Sequence, residues 1–153
     1  MDGFAIYKSE FGYLRMEYEK GKIIYLKKVQ GTPKENGEKT ELTNEVFEQL
    51  TEYLAGRRKK FDFPYELRGT EFQKKAWAEL EKIPYGQTRT YGQQAAAMGK
   101  PKASRAVGMA NHCNPIIIVV PCHRVIGANG NLTGYGGGLP MKEALLKLEA
   151  ENK

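Results

Sequence analysis

The sequence predicts an α+β protein, in which a small antiparallel sheet with one helix precedes a mostly helical half. Three observations indicate this class. Near the amino terminus, short segments rich in β-branched and aromatic residues alternate with turn residues. Helix-capping sequences and apolar residues at helical spacing then take over. A β-branched run at residues 116–120 interrupts the helices.

Length and composition allow one domain or two small ones. The chain has 153 residues, of which 41% are apolar and 27% charged, which is typical of a globular protein with a real core. The segment Phe61-Asp62-Phe63-Pro64 resembles a linker. We therefore expect a domain over residues 1–63 and another over residues 64–153.

The amino-terminal elements follow from alternation and turn residues. Residues 4–7, 11–18 and 23–29 are predicted strands of a meander, because Gly12 and residues 19–22 supply turns between them. Residues 30–41 are polar and contain Gly and Pro, which favours a loop. A helix is then predicted with Thr43 as its N-cap, a Leu42–Phe47 hydrophobic staple, and an end at Gly56.

The second half begins with two capping boxes. Thr70 with Gln73 predicts a helix that ends before Pro84, and Thr90 with Gln93 predicts a short helix through Met98. Pro101 is expected to start a further helix, and Pro140 the last one. Four small apolar residues are expected to line the buried side of the helix after Pro101, namely Ala103, Ala106, Val107 and Ala110.

The apolar run Ile116–Val120 predicts a buried strand that ends at Pro121, because proline cannot donate to a sheet ladder. Cys122 would then stand where a core strand stops, with His123 and Arg124 beside it. Positive neighbours stabilise a thiolate, the nucleophilic form of sulfur. These residues alone fit a reactive cysteine and a buried structural cysteine equally well.

The charge distribution points to a polyanionic partner. The net charge is +6, and no Asp or Glu occurs between Glu81 and Glu143. Within that span, two short helices joined by a glycine-containing turn predict a helix-turn-helix, whose second helix carries Lys102, Ser104 and Arg105. An ordinary helical hairpin with a basic, solvated face is the alternative.

Other sequence features bear on location and redox state. No apolar run approaches the roughly 20 residues that span a bilayer, and the first residues do not resemble a signal peptide. Cys113 and Cys122 are too few for a disulfide scaffold. We therefore expect an intracellular protein with both cysteines as thiols.

Three rival functions use the same residues. A zinc site could combine His112, Cys113, Cys122 and His123, but an intervening strand would hold the two pairs far apart. A cysteine-histidine hydrolase would use Cys122 and His123, yet needs no helix-turn-helix. A transcription factor would explain the helix-turn-helix and leave the cysteine unexplained.

Three motifs resemble the O6-alkylguanine-DNA alkyltransferase family: the segment Pro121-Cys122-His123-Arg124-Val125, the pair Asn114-Pro115 and the segment at residues 134–138. The resemblance is specific over residues 72–149 and only one of layout before that. It implies an RNase H-like amino-terminal part and a winged helix-turn-helix-like carboxy-terminal part that docks in the DNA minor groove. It also implies a single-turnover reaction that moves an alkyl group from duplex O6-alkylguanine to Cys122.

The resemblance assigns roles to individual residues. His123 would deprotonate Cys122 through a water, Glu149 would orient His123, Asn114 would hydrogen-bond near the thiolate, and Tyr91 would serve O6. Arg105 would fill the space of the flipped base. Further DNA contacts would be Lys102, Ala103, Ser104 and Arg124. The substrate pocket would be formed by Pro121, Val125, Tyr135, Gly136 and Gly137.

Some members of the family bind zinc through amino-terminal Cys and His ligands, which this sequence lacks, so we expect no metal and no cofactor. We also expect a monomer in the cytoplasm, at the nucleoid in a prokaryote, or in the nucleus of a eukaryote. Activity on O4-alkylthymine, cooperativity on DNA and any role for Cys113 stay open. A non-catalytic relative that only binds alkylated DNA is a further alternative, although such relatives lack the acceptor that Cys122 supplies.

Overall fold

The computed structural model describes residues 1–153 and confirms the α+β class. The chain forms two compact units, Met1–Arg68 and Gly69–Lys153. No helix in it is long and apolar enough to cross a membrane. The first unit extends past residue 63, because Ile23 bridges to Tyr65 and Arg68 forms an ion pair with Glu19.

The first unit is an antiparallel meander with one helix. Its strands are β1 (Gly3–Ser9), β2 (Gly12–Glu19) and β3 (Lys22–Lys28), in that order in the sheet, so the three predicted strands are confirmed. Helix α1 (Glu41–Leu54) follows. The core of this unit contains buried apolar residues of all four elements, including Ala5, Leu14, Met16, Ile23, Leu26, Val46 and Leu50.

The start of α1 corrects the prediction that Thr43 is its N-cap. Thr40 is the N-cap, and its hydroxyl accepts a hydrogen bond from the Thr43 amide, while the Thr43 hydroxyl accepts one from the Thr40 amide. Threonine thus takes the place usually held by Glu or Gln in a capping box. The Thr43 side chain is fully buried, where it also accepts from the Tyr7 hydroxyl.

The second unit is mostly helical. It contains α2 (Glu71–Glu81), β4 (Arg89–Thr90), α3 (Tyr91–Ala97), α4 (Ser104–His112), β5 (Val125–Ile126) and α5 (Leu139–Glu151). Both predicted capping boxes, at Thr70 and Thr90, are present. Strands β4 and β5 form a two-residue parallel pair, which places the chain after Cys122 beside the start of α3.

Helices α3 and α4 form the predicted helix-turn-helix, with two differences. Helix α4 begins at Ser104 rather than at Pro101, since residues 101–102 form a turn and Ala103 is the N-cap. Ala106 is exposed, and the buried face of α4 consists of Val107, Ala110 and Asn111.

A pair of buried amides fixes the packing of this helix-turn-helix. The Gln94 side chain donates to Asn111 Oδ1 at 3.0 Å, and the Asn111 side chain donates back to Gln94 Oε1 at 2.8 Å. Trp77 of α2 donates its indole N–H to the Ala110 carbonyl at 2.8 Å. Because a buried polar group that loses its partner is costly, these bonds favour the observed packing of α2, α3 and α4.

The run Ile116–Val120 is not a strand, which corrects a central expectation. Residues 117–119 form a tight turn, in which the Val119 amide donates to the Ile117 carbonyl and the Val120 amide to the Ile116 carbonyl. Ile118 has a φ of 72°, a left-handed conformation that is rare for a β-branched residue. The run is apolar because the turn is buried, not because it belongs to a sheet.

Candidate active site

Cys122 is the first residue of a single 3₁₀ turn, Cys122–Arg124, that connects the buried Ile116–Val120 turn to β5. The residue is buried, with 7% of its surface exposed, and its amide donates to the Val120 carbonyl at 2.8 Å. The structure therefore delivers the cysteine from a compact turn rather than from the end of a strand. Like the predicted strand end, this buried turn holds Cys122 at the core of the second unit.

Asn114 is fully buried and closes this turn from both ends. Its side-chain amide donates to the Val120 carbonyl at 2.7 Å, and its Oδ1 accepts from the Ile116 amide at 3.0 Å. The Asn114 side chain thus holds the backbone immediately before Pro121 and Cys122. The structure gives this residue a definite part in positioning the cysteine.

His123 and Glu149 form a buried pair beside the cysteine. His123 Nε2 lies 2.8 Å from Glu149 Oε2, and both side chains are almost wholly buried. An ionised carboxylate only accepts hydrogen bonds, so Nε2 carries a hydrogen and Nδ1 is the nitrogen that can take a proton. Glu149 is therefore a buried hydrogen-bond partner of His123.

The pKa of His123 is suited to a base that acts at neutral pH. Burial lowers its pKa below the ordinary value, an effect that exceeds the opposing hydrogen bond and charge of Glu149, while Arg124 and Lys142 lower it further. The imidazole is consequently neutral near pH 7.

Arg124 is not at the DNA-facing surface, which corrects its assignment as a DNA contact. The residue is 7% exposed, and its guanidinium donates to both Glu149 oxygens at 2.8 and 2.9 Å and to the Ile83 carbonyl at 2.7 Å. Its donors are directed inward, so it cannot reach a phosphate without dismantling the site. Arg124 instead keeps the Glu149 carboxylate charged and fixed.

The carboxylate of Glu149 has one more donor. The amide of Gly86 donates to Glu149 Oε1 at 3.2 Å, from the turn that follows Pro84. Gly86 has a φ of 77°, and a Cβ there would meet the Lys153 side chain, so glycine suits this position. Glu149 thus receives hydrogen bonds from two separate segments of the second unit, the 3₁₀ turn with His123 and Arg124 and the turn with Gly86.

Lys142 is a buried cation at the end of the acid-free span that precedes Glu143. Its ammonium donates to the Val125 carbonyl at 2.6 Å and to the Thr133 carbonyl at 2.9 Å. Burial lowers its pKa, whereas a Cys122 thiolate would raise it. Lys142, Leu145 and Glu149 recur at helical spacing on α5, which is the signal that could have revealed this residue.

The predicted pocket residues are Pro121 just before the 3₁₀ turn, Val125 of β5, and three residues of the loop 127–138, here the glycine loop. Pro121 and Val125 are buried, and Tyr135 is 8% exposed. Gly137 packs against Tyr135 and Met141 so closely that a Cβ would lie 2.5 Å from the Met141 sulfur. Gly136 is exposed, with open space where its Cβ would be.

Tyr91 and the helix-turn-helix residues lie along a surface groove. The groove is lined by Tyr91, Ser104, Arg105, Gly108, Met109, His112, Thr133 and Gly134. The Tyr91 hydroxyl donates to the Thr133 carbonyl at 3.2 Å, so it shares that acceptor with Lys142. Lys102 and Arg105 are exposed, whereas Ala103 and Ser104 are partly buried.

The rival zinc site receives no support from the geometry. No group of three or more His, Cys, Asp or Glu side chains in the structure could hold a metal ion. His112 lines the surface groove and Cys113 is exposed at the end of α4, whereas Cys122 and His123 are buried in the core.

Comparisons with known proteins match both units. The chain fits a family model described as 6-O-methylguanine DNA methyltransferase, ribonuclease-like domain, over residues 4–67, and the DNA binding domain of the same description over residues 71–151. A methylated-DNA–protein-cysteine methyltransferase of Methanosarcina acetivorans is 50% identical over 151 residues, which cover 95% of this chain and 97% of that protein.

Two further relatives extend this likeness. A protein of the same name from Methanosarcina mazei is 52% identical over 132 residues, which cover 85% of this chain and 84% of that protein. The crystal structure of Mycobacterium tuberculosis OGT in complex with DNA superposes with a TM-score of 0.89 at 43% identity, covering 97% of this chain and 93% of that one.

Proposed function

The chain belongs to the 6-O-methylguanine DNA methyltransferase family, and from this premise we propose that it repairs duplex DNA by moving the alkyl group of O6-alkylguanine to Cys122. The observation that carries the proposal is the placement of Cys122 beside the buried His123–Glu149 pair, in the unit that contains the helix-turn-helix. The relative whose crystal structure includes DNA supports DNA as the partner.

The reaction is an attack by sulfur on a saturated carbon. The thiol of Cys122 loses its proton to His123 Nδ1, through a water. The thiolate then forms a bond to the alkyl carbon, the bond from that carbon to O6 breaks, and its electron pair stays with guanine, which takes up one proton. The product is a thioether, so no step restores the thiol and each molecule reacts once.

The residues around Cys122 hold the reacting groups in place. Glu149 fixes the imidazole, and Arg124 keeps Glu149 ionised by donating to both of its oxygens. Asn114 fixes the turn that carries Cys122. This rigid arrangement places the sulfur before the substrate arrives, which lowers the entropic part of the barrier.

Tyr91 needs a small rearrangement in this mechanism. Its hydroxyl donates to Thr133, and on substrate binding it would turn to donate to O6 of the departing guanine. Lys142 would keep the Thr133 carbonyl satisfied when Tyr91 leaves it, because its ammonium already donates there. The glycine loop could thus hold its position during the exchange.

A target atom inside the duplex requires that the nucleotide be rotated out of the stack, at a cost of about a few kcal/mol. The exposed Arg105 of α4 would occupy the space left behind. The short side chains of Ala103, Ser104 and Ala106 let this helix approach the DNA backbone closely, and Lys102 would meet a phosphate.

Intact mass spectrometry tests the proposal directly. After incubation with a duplex that contains O6-methylguanine, the protein should gain one methyl group, located on Cys122 by peptide mapping. Cys122→Ala should gain nothing, and Cys113→Ser should react like the unchanged protein. An unchanged mass for the unaltered protein, together with turnover of an ester or peptide substrate, would favour the hydrolase instead.

A further inference from the structure

Met109 has a large, exposed apolar side chain, and the proposed reaction gives it no role. It lies on α4 and is 64% exposed. The buried face of α4 is formed by Val107, Ala110 and Asn111, so Met109 belongs to the opposite side of the helix. Single exposed apolar residues are common, and exposure alone therefore indicates nothing.

The surroundings of Met109 are more informative. Met109 and Arg105 are four residues apart, hence on the same face of α4, and both line the groove that contains Tyr91 and Gly134. No acidic residue lines this groove. Its only fully charged lining residue is Arg105, which favours a polyanion as the occupant.

The other side chains on this face are short. Ser104, Ala106 and Gly108 allow a close approach of α4 to a partner, and Met109 is the long apolar side chain that projects beyond them. Proteins that bind the minor groove frequently insert such side chains, methionine among them, between base steps. An unbranched thioether also adapts to an irregular surface and packs favourably on aromatic rings.

We propose that Met109 is an apolar wedge that packs against the DNA base stack one helical turn from Arg105, an inference that rests on the proposed function. Residues four apart are separated by about 6 Å along a helix axis. Successive base pairs are about 3.4 Å apart. With α4 lying along the groove of the duplex, Met109 would meet the base stack about two base pairs from the position that Arg105 fills.

The proposal separates two kinds of contact on one helix. A lysine that meets a phosphate releases a counterion, so its loss lowers the slope of binding against salt by about one. A methionine that packs on bases carries no charge. Its loss weakens binding by the same factor at every salt concentration.

Binding is best measured in the Cys122→Ala background, on a duplex with one O6-methylguanine, across a series of salt concentrations. Met109→Ala should weaken binding about tenfold, because the variant loses the burial of most of a methionine side chain against DNA. The salt slope should stay unchanged. Met109→Leu should keep most of the affinity. Lys102→Ala should lower the slope, and Leu139→Ala, which removes another exposed apolar side chain of this unit, should change neither quantity.

A fluorescent base locates the contact. 2-Aminopurine placed two base pairs from the lesion, on each side in turn, should brighten on one side when Met109 is present and stay dim with Met109→Ala. Equal affinity of the Met109→Ala and parent proteins, or a changed salt slope, would overturn the inference. Methyl uptake by the unaltered protein is measured in parallel, so failure of the repair function is seen separately.

Discussion

Arg124 stands next to the nucleophile, and its surroundings determine what its charge does. Its three donor nitrogens are committed to Glu149 and to the Ile83 carbonyl. Removing one member of a buried ion pair typically costs about 3–5 kcal/mol, because the other charge stays buried. Arg124→Lys keeps the charge but loses the fork of donors. We expect this variant to melt earlier and to transfer more slowly, measured by calorimetry and by the rate of methyl uptake.

DNA binding separates this role from a phosphate contact. Arg124→Lys and Arg124→Gln should bind methylated duplex with the same salt slope as the unaltered protein, whereas Lys102→Ala should show a lower slope. If the Arg124→Gln slope falls by about one, the arginine reaches DNA after all.

The pH dependence of transfer should follow His123. Burial is the main cause that lowers the pKa of His123. Glu149 opposes this effect, and the charges of Arg124 and Lys142 add to it. The base must be neutral, so the transfer rate should persist as pH falls through the ordinary histidine range near 6.5 and decline only below it. The rate with the free base O6-benzylguanine, measured against pH, checks this without the salt effects of DNA binding.

The same shift has a consequence for stability. A histidine with a lowered folded pKa binds more protons when unfolded, so it stabilises the protein above the unfolded pKa, and this stability is lost as pH falls below about 6.5. His123→Gln should remove that part of the acid sensitivity, as seen in midpoints of urea unfolding across pH. Equal pH profiles for the two proteins would contradict a buried neutral imidazole.

Lys142 joins β5 to the glycine loop through two carbonyl groups. In Lys142→Met, relief from burying a cation opposes the loss of both hydrogen bonds, so overall stability should change by only about 1 kcal/mol. The loop nevertheless loses its attachment. We expect slower transfer to both duplex and O6-benzylguanine, and faster amide exchange over residues 127–138. Lys147→Met on the exposed side of α5 is the control and should leave both unchanged.

At the scale of elements, the buried turn before Cys122 contains an unusual residue. Ile118 is 1% exposed with a φ of 72°, and a left-handed conformation costs a residue with a Cβ about 1–2 kcal/mol. Ile116 is equally buried without that conformation. Ile118→Gly should therefore destabilise the protein by about 1–2 kcal/mol less than Ile116→Gly, measured by urea unfolding. Equal losses would indicate a turn without strain.

Sequence patterns predicted those elements whose signals are local. The capping boxes at Thr70 and Thr90 satisfy helix amides within a few residues, and the first three strands alternate around short turns. The run Ile116–Val120 predicts a strand but forms a turn, because a buried turn and a buried strand are both apolar. What distinguishes them is Asn114, whose side chain bonds both ends of the turn, and such a contact appears only in three dimensions.

In the candidate site, the family motif predicts some residues, whereas the burial of others depends on contacts between distant segments. The cysteine, its histidine and the orienting glutamate were named through the family motif, and the structure brings His123 and Glu149 together. Arg124 and Lys142 could not be separated from surface bases by charge alone. Arg124 is buried against Glu149 of α5, and Lys142 of α5 is buried against Val125 and Thr133, so both positions depend on how distant segments pack.

For the whole molecule, two compact units share one chain, and Trp77 is its single tryptophan. Trp77 is buried in the second unit, where it donates to the Ala110 carbonyl of α4. Its fluorescence therefore reports the unfolding of the unit that carries Cys122, while calorimetry records both units. Comparing the two signals therefore shows which unit loses stability after Cys122 has been methylated.

Methylation of Cys122 should destabilise the second unit. Cys122 is 7% exposed, and its chain neighbours Val120, His123 and Val125 are fully buried, so an added methyl group enters a buried part of the unit. Overpacking a filled site typically costs about 1–3 kcal/mol, and each kcal/mol shifts the melting midpoint of a unit of this size by roughly 4–8 °C. We expect the Trp77 transition of methylated protein to fall by several degrees. Cys122→Ala treated with the same DNA should not shift, and an unchanged or higher midpoint after confirmed methylation would mean that the site accommodates the methyl group without strain.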